Sequence, residues 1–308
     1  MAQHLYGILG HAPLSPRLVR FILERLQRET QREPAGVSLQ GLGDRLHHFY
    51  RDYCRGRWLD QGLTRATHQS LAALNHPYSL LQVDAVVGIN TFALLCAISR
   101  RSQNPFWPCG NPAQRSEYNP NRLLQFIGRT AVLSPLAFWL YNRQHLYGLQ
   151  LRAARLDQLM LAQASLAHLD CREATLVGID LEGADLREAN FSRCNLKRAN
   201  LQAADLRGAQ FQGADLSGAQ LMGAQLTGAS FTNACLAHAQ LDSTGVAIAQ
   251  QSGAFFSAAE FHALQALAQQ EETLLPSQPG NQAEGETNPP FFGNETLTAE
   301  PRRGSPRA

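Results

Sequence analysis

The chain has 308 residues, of which 44% are hydrophobic and 17% are charged, so it is long enough for two domains and a tail. The formal net charge of +2 is unevenly spread, because residues 1–145 hold 16 Arg against 8 acidic residues and residues 251–308 hold 3 Arg against 7 Glu. The small net charge excludes a chain that is strongly acidic or strongly basic throughout. The six Cys form no CxxC pair, and no charged segment precedes an apolar run at the start. We therefore expect no disulfide framework, no signal peptide and a cytoplasmic location.

The first 143 residues predict an all-α bundle after a short lead-in over residues 1–14. Ser15 and Pro16 are a start signal, with Ser as the N-cap and Pro at the first helical position. Asp44 is the predicted N-cap of the second helix, which places four apolar or aromatic residues on one side. The predicted helices run over 16–33, 44–59, 64–74, 121–131 and 134–147. The apolar stripes of the first two are Leu18, Ile22 and Leu26, then Leu46, Phe49, Tyr50 and Tyr53.

The segment 80–98 is apolar enough to be either a central bundle helix or a weak membrane span. Asp84 lies within it, and a buried carboxylate in lipid is costly. We therefore predict the central bundle helix and keep a membrane-associated segment as the alternative. The helix predicted over 134–147 carries several aromatic residues and is expected to seat the bundle on the segment that follows. Exposed residues that could contact a partner are Arg51, Arg55, Arg57 and the loop around Trp107.

From Leu146 to Val246, every fifth residue is apolar. Neither an α-helix, with a period of 3.6, nor a flat strand, with a period of 2, keeps such a stripe on one side. A second small or apolar position lies two residues earlier, and it is Ala without interruption from Ala204 to Ala239. The pattern predicts a solenoid in which these two positions face a continuous core.

The spacing of the bulky residues predicts how many repeats make one coil. Phe191, Phe211 and Phe231 are each twenty residues apart, which is four five-residue repeats. If each coil has four sides, the three rings stack on one side as part of the structural core. We call the apolar residue at each fifth position the centre. Where the position two residues before the centre holds the large Leu169, the centre itself is the smaller Cys171, as a closely packed interior requires.

The motif A-[DN]-L-x-x resembles the pentapeptide-repeat family. It reads Ala184-Asp185-Leu186, Ala189-Asn190-Phe191, Ala199-Asn200-Leu201, Ala204-Asp205-Leu206 and Ala214-Asp215-Leu216. The resemblance implies a right-handed, quadrilateral β-helix. The predicted fold is therefore a two-domain α+β protein, with the all-α bundle over 1–143 and the β-helix over 144–250. The family also includes many cyanobacterial proteins, several of which are similar to regulatory or assembly factors.

Two further segments follow the predicted β-helix. Ser257 and Glu260 form a capping-box pattern, so a helix within 251–275 is predicted to cover the last coil. Residues 276–308 are rich in Pro, Gly, Gln, Glu, Asn and Thr, which predicts a disordered tail. Phe291 and Phe292 are a candidate docking motif within that tail.

The sequence contains no pattern for catalysis, a metal or a cofactor. It has neither a GxSxG motif nor a Walker loop. His168 and His238 are fourteen repeats apart, which would place them on opposite sides of a four-sided coil. Asp185 and Asp205 are predicted to stack beside Arg187 and Arg207 as a compensated charge ladder.

These observations predict a non-enzymatic scaffold or adaptor for protein partners. After Arg207, the next fifty residues contain two charges only, Asp215 and Asp242. The outward Gln210, Gln220 and Gln240 are candidates for contact with a partner or for self-association. Two alternatives stay open: a membrane-peripheral assembly factor anchored through 80–98, and a modulator of nucleic acid or DNA gyrase. Some proteins of the resembled family act on gyrase by mimicking DNA, which requires a long acidic surface. Basic residues interrupt the acidic ones here, so gyrase mimicry is not favoured. Nucleic-acid binding is not favoured either, because the Arg-rich first 145 residues carry no recognised binding motif.

Overall fold

The computed structural model describes residues 2–32, 38–73, 77–102, 104–263 and 266. Its named helices lie before and after a long repeat region. They are α1 (Ala2–Leu9), α2 (Pro16–Arg32), α3 (Leu39–Cys54), α4 (Arg57–Asp60), α5 (Leu63–Ala72), α6 (Leu80–Ser99), α7 (Arg122–Thr130), α8 (Ala137–Asn142) and α9 (Ser243–Gln251). We call α1 to α8 with their connections the helical head, and residues 146–241 the repeat region. Both belong to one compact unit that extends to Ala266, and the predicted domain boundaries stay a prediction.

Helix α6 is the centre of the helical head. Ser79 begins it with a capping box: its hydroxyl accepts the N–H of Gln82, and its own N–H donates to the Gln82 side chain. Every residue from Val83 to Ile98 is buried, and α1, α2, α3, α5, α7 and α8 all contact the helix. It is long and apolar enough to cross a membrane, yet 89% of its apolar window is buried within the protein. The predicted central bundle helix is confirmed, because a helix that is apolar on all sides is enclosed here by other helices.

The buried Asp84 of α6 joins three other helices. It accepts hydrogen bonds from Tyr6 of α1 at 2.5 Å, Thr64 of α5 at 3.4 Å and Arg129 of α7 at 2.9 Å. The Arg129 guanidinium also lies 4.7 Å from the centre of the Tyr53 ring in α3. A buried carboxylate is tolerated where it is paired and hydrogen-bonded in this way.

The buried Asn90 of α6 shows why the predicted lead-in over residues 1–14 is wrong. The segment instead begins with helix α1, and Asn90 holds the turn that follows it. The Asn90 amide nitrogen donates to the carbonyls of Leu9 and Ala12 at 2.8 Å, and its oxygen accepts the N–H of Leu14 at 2.7 Å. Because these partners lie 76 to 81 residues away in sequence, no local pattern could have indicated them.

Two details of the predicted second and first helices are also wrong. Helix α3 begins five residues before Asp44, because Ser38 is the N-cap and its hydroxyl accepts the N–H of Gly41 at 3.0 Å. In α2, the predicted stripe residue Leu18 is 44% exposed, whereas Val19 and Leu23 are buried. The predicted Ile22 and Leu26 do pack against the core, so the buried face of α2 keeps that part of the predicted stripe and extends to Val19 and Leu23.

Helix α8 is much shorter than the predicted helix over 134–147. It spans Ala137–Asn142, and Tyr147 lies beyond its end, 40% exposed. The chain leaves the helix early because the following residues already pair with the repeat region, as the N–H of Gly148 donates to the carbonyl of Ala167 at 2.9 Å.

The repeat region is a coil of twenty residues per turn. Isolated parallel β-bridges join the residue before each apolar centre to the residue twenty positions later. The first bridges are Gln150 with Asp170, Arg155 with Thr175, Met160 with Asp180 and Ser165 with Asp185. Four columns of bridges therefore follow the coil, and we name them columns 150, 155, 160 and 165. Single bridges replace extended strands in the described part of this region, because the chain turns after every bridge.

The turn chemistry explains the Asp or Asn that precedes the centre. Its side-chain oxygen accepts the backbone N–H two residues later, as Asn190 does from Ser192 at 3.0 Å and Asp185 from Arg187 at 3.3 Å. This Asx arrangement stabilises a tight turn. The third residue after the Asp or Asn has a positive φ, such as 58° at Glu188 or 71° at Gly208, and glycine adopts this conformation with the least strain.

The interior of the coil is packed by stacked side chains of the same column. Phe191, Phe211 and Phe231 are fully buried, with ring centres 5.3 and 4.9 Å apart and ring planes 7° and 6° from parallel. This is the geometry that the twenty-residue spacing predicts. Leu169 and Cys171 are both buried as well, which agrees with the predicted exchange of a large residue for a small one.

The helical head covers the first coil, as the sequence predicted. The first residues of the columns have no earlier rung to receive their N–H groups, and three head carbonyls receive them instead. These bonds run from Gln150, Arg155 and Ser165 to Phe106, Pro120 and Arg143 at 2.8 to 3.4 Å. Trp139 of α8 adds a bond from its indole nitrogen to the carbonyl of Ala162 at 2.6 Å. An exposed coil end would invite pairing with another chain, and these bonds prevent it.

The other end of the coil differs from the prediction. The repeat does not continue to Val246, because Asp242 caps α9 by accepting the N–H of Gly245 at 2.7 Å. Ala249 of α9 is fully buried in the core that continues from the coil. A second helical segment over 258–263 places Phe261 against Cys235 of the last coil. The rest of the helix predicted within 251–275 lies largely outside the described residues, as does the tail over 276–308.

Candidate functional site

One side of the repeat region, column 165, carries a ladder of ion pairs on its outer surface. Arg187 donates twice to Asp185 at 2.8 Å, and Arg207 donates twice to Asp205 at 2.6 and 2.8 Å. Arg187 also lies 3.8 Å from Asp205 on the next rung, so the ladder is continuous along column 165. The hydrogen bonds from these arginines hold the pKa of both carboxyl groups below the usual range. The predicted charge ladder is confirmed, and it leaves no continuous acidic surface.

From Asn200 onwards, column 160 and the turns after it present an uncharged surface, which we call the neutral face. It borders Asp180 and Glu182, to whose carboxylates the Asn200 amide donates at 3.1 and 3.4 Å. It consists of Asn200, Gln202, Gln220, Met222 and Gln240. Bridges join Asn200 to Gln220 and Gln220 to Gln240, and the Gln202 amide donates to the Gln220 side-chain oxygen. Met222 is 47% exposed between these amides. The arrangement is a row of fixed amides around a flexible thioether, which suits contact with another protein surface.

The predicted contact residues of the repeat region do not all lie together. Gln220 and Gln240 share column 160, but Gln210 lies in column 150, two columns away. There, Gln210 accepts a hydrogen bond from the Asn190 amide at 3.0 Å. Met222 is not among the predicted contact residues of the repeat region, which are all polar; the signal for it is an apolar residue directly after the centre Leu221.

The predicted arginines of the helical head are occupied by neighbouring carboxylates. Arg51 is half-buried rather than exposed, because it forms an ion pair with Glu117 of the loop before α7. Arg55 and Arg57 are exposed, but both approach the buried Asp52, at 3.9 and 3.1 Å. Their charges are thus partly compensated within the head. Trp107 is half-buried in its loop.

The remaining candidates support neither a metal site nor a reactive thiol. His168 and His238 lie in the turns after columns 165 and 155, which are two columns apart. Within the described residues, no group of three or more His, Cys, Asp or Glu side chains could hold a metal ion. The six cysteines are all free and buried. Burial raises the pKa of the Cys54 thiol to about 12 and that of Cys109 to about 11, so both stay protonated. Phe291 and Phe292 lie outside the described residues.

Comparison with known proteins matches the repeat region. Residues 164–202 and 204–242 match the family of pentapeptide repeats, in eight copies. No curated protein matches the chain.

Several solved structures are similar over about a third of the chain. Rfr23, a pentapeptide repeat protein from the cyanobacterium Cyanothece 51142, is 29% identical over 35% of this chain and 64% of its own, with a TM-score of 0.27. The match therefore spans less than two thirds of Rfr23. A pentapeptide repeat protein from Nostoc Pcc 7120 is 28% identical over 34% of this chain and 83% of its own, with a TM-score of 0.27. Trypsin-treated QnrB1, a plasmid-mediated fluoroquinolone resistance protein, is 17% identical over 37% of this chain and 64% of its own, with a TM-score of 0.29.

Proposed function

We propose, from the pentapeptide repeats that this chain carries, that it is a non-enzymatic scaffold that binds a partner protein through its repeat region. The proposal includes a right-handed, quadrilateral β-helix as the geometry of that region. It also places the protein in the cytoplasm, where its six free cysteines would stay reduced. The helical head covers one end of the coil and offers a second surface.

The observation that carries this proposal is the neutral face. Ion pairs line column 165, whereas the neutral face on the adjoining column 160 combines amides with an exposed methionine and no charge of its own. The centres of protein interfaces are depleted in charged residues and enriched in methionine. The partner surface should therefore also be uncharged, because a charged group buried against these amides would lose its hydration without gaining a counter-charge.

The two alternatives have less support. A mimic of DNA needs an unbroken acidic surface, but Asp185 and Asp205 are each bound by an arginine. Direct binding of nucleic acid needs a row of basic residues that can meet successive phosphates. Arg51 and Arg129 are paired with Glu117 and Asp84, and the exposed Arg20, Arg100 and Arg101 line a single cavity. The membrane anchor would require α6 to leave the centre of the head.

The test is to place a charge on the neutral face of the full-length protein. Gln220→Glu and Met222→Glu should abolish the capture of partner proteins that the wild type retains, while Gln163→Glu, on an exposed turn of the first coils, should not. Sedimentation of the wild type measures self-association separately. Equal capture by all four proteins would contradict the proposal, and a wild-type dimer that Met222→Glu dissociates would assign the face to a second copy.

A further inference from the structure

A cavity of about 250 Å³ lies in the helical head between α2, the end of α6 and the turn after α8. Arg20 comes from α2, Arg100 and Arg101 from the end of α6, and Gln144 and His145 from the turn. None of the described residues that line the cavity is acidic. Guanidinium groups stay charged at any physiological pH, so three positive charges surround this space.

The arginines at the cavity differ from the other arginines that the head uses structurally. Arg129 and Arg51 are bound to carboxylates, but Arg100 and Arg101 contact neutral groups. Arg100 lies 3.5 Å from Nδ1 of His145, and Arg101 donates to the Gln27 side chain at 3.4 Å. All three cavity arginines are exposed residues, so a ligand can reach them from solvent. Their charges are left without a counter-ion from the described lining.

His145 also lines the cavity, and it carries a buried donor. The residue is 3% exposed, and burial, together with the nearby Arg100, lowers its pKa to about 4. The imidazole is therefore neutral near pH 7. Because a guanidinium can only donate, Nδ1 must be the acceptor towards Arg100, which places the proton on Nε2. That Nε2 is buried and has no hydrogen-bond partner among the described residues, and a buried donor without an acceptor is costly.

The chemistry of the walls indicates the class of ligand. Val19 and Leu23 of α2 and Ala97 of α6 supply an apolar part of the lining. The C-terminal end of α6 carries roughly half a negative charge, which repels an anion. The three full positive charges of the arginines outweigh it. Guanidinium forks match the oxygens of phosphate groups, and a space of this size fits one phosphate with a compact organic part. We propose that this cavity binds a small phosphate monoester, whose phosphate meets Arg20, Arg100 and His145 and whose organic part packs on Val19 and Leu23.

The experiment is calorimetric titration of the full-length protein with phenyl phosphate, inorganic phosphate and phenylacetate at low ionic strength. Phenyl phosphate should bind more tightly than the other two, because only it supplies both the dianion and the apolar part. Arg20→Gln and Arg100→Gln should each weaken binding by about tenfold or more, as expected for the loss of a hydrogen bond to a charged group. Arg17→Gln, one turn earlier on α2 and outside the cavity, is the matched control and should bind like the wild type.

The His145 imidazole gives an independent readout. An anion that accepts from Nε2 should shift the nitrogen resonances of His145 in the wild type and raise the pH at which the ring titrates, and His145→Gln should weaken phenyl phosphate binding. Circular dichroism of each variant verifies that it is folded. The proposal is overturned if the wild type shows no phenyl phosphate binding at millimolar concentration, or if Arg17→Gln weakens binding as much as Arg20→Gln. An unchanged His145 spectrum on saturation would remove His145 from the site and with it the proposal as stated.

Discussion

The helical head and the repeat region solve the same packing problem in different ways. In the repeat region, each residue meets its counterpart twenty positions away, so one rule gives every contact. In the head, Asp84 and Asn90 of α6 reach residues of α1 that lie 78 and 81 positions earlier, and each contact is made once. Truncation of a buried side chain in the repeat region should therefore have a similar cost in stability at each rung, because the rungs cannot shift to fill the void. In the head, the cost should depend on the particular neighbours of each residue.

The largest expected effect is a cavity in the ring stack. Phe211→Ala should lower the free energy of unfolding by about 3–5 kcal/mol, because the backbone bonds to the rungs above and below prevent collapse around the missing ring. Phe211→Leu, which places the common centre residue of this coil at the same position, should cost only about 1 kcal/mol. Chemical denaturation of the three proteins measures both differences.

The head supplies the contrast to that experiment. Phe126 of α7 is also fully buried, among the rings of Tyr50, Phe92 and Phe138. Because helices can shift towards a void more easily than laddered rungs, Phe126→Ala should cost less than Phe211→Ala. If Phe126→Ala is the more destabilising of the two, the rigidity that we assign to the repeat region is wrong.

A second large effect should come from the polar centre of the head. Asp84→Asn leaves the half-buried Arg129 without its counter-charge and should cost about 3 kcal/mol in thermal or chemical unfolding. Asp52→Asn is the matched control, since Asp52 is equally buried but its partners Arg55 and Arg57 are 64% and 56% exposed and can be hydrated. Equal losses from both variants would show that burial of the carboxylate, rather than of its partner, sets the cost.

The difference between the two regions also explains what could be predicted from the sequence. The twenty-residue spacing of Phe191, Phe211 and Phe231 was sufficient for the stack, since a period reports three-dimensional neighbours directly. The length of the apolar segment 80–98 was sufficient to predict helix α6. The turn at Asn90 and helix α1 could not be predicted, because they depend on bonds between distant segments.

The candidate sites follow the same division. Counting in steps of twenty residues places Gln220 and Gln240 on one face, and it separates Gln210 from them. The cavity beside His145 could not be found, because Arg20, Arg100 and His145 come from three elements whose packing no local pattern fixes. The Arg100-Arg101 pair was visible in the sequence only as the end of an apolar run.

A smaller effect is expected from pH on the charge ladder of column 165. The pKa values of Asp185 and Asp205 are lowered in the folded protein, so these groups stabilise it above their unfolded pKa near 4, and this stabilisation is lost as the pH falls through the folded values. Melting temperatures should therefore fall below about pH 4. The double variant Asp185→Asn/Asp205→Asn keeps the turn acceptors but removes the charges, so its melting temperature should fall less steeply over the same range. A wild-type slope unchanged by the double variant would exclude the ladder as the cause. Because these groups are partly exposed, the loss should be smaller than for either core variant.

The smallest expected effect tests the turns, and it compares two successive rungs of the same column. Arg198 and Gly218 occupy the same position of consecutive coils, with φ values of 57° and 69°. Gly218→Ala should destabilise the protein by about 1 kcal/mol, because a Cβ is strained at positive φ. Its nearest neighbour would be the Cγ of Arg198 at 3.7 Å, an ordinary contact, so the loss reports backbone strain and not crowding.

Arg198→Gly is the reciprocal change. It relieves the same strain but gives the unfolded chain more freedom, so the two effects nearly cancel and the net gain should be at most about 0.5 kcal/mol. The changes in the free energy of unfolding of the two single variants, measured by chemical denaturation, should therefore add up to a net loss of stability. If Gly218→Ala proves neutral while Arg198→Gly stabilises, the turn would tolerate side chains in one rung and not in the next, and the repeat region would be less uniform than its period indicates.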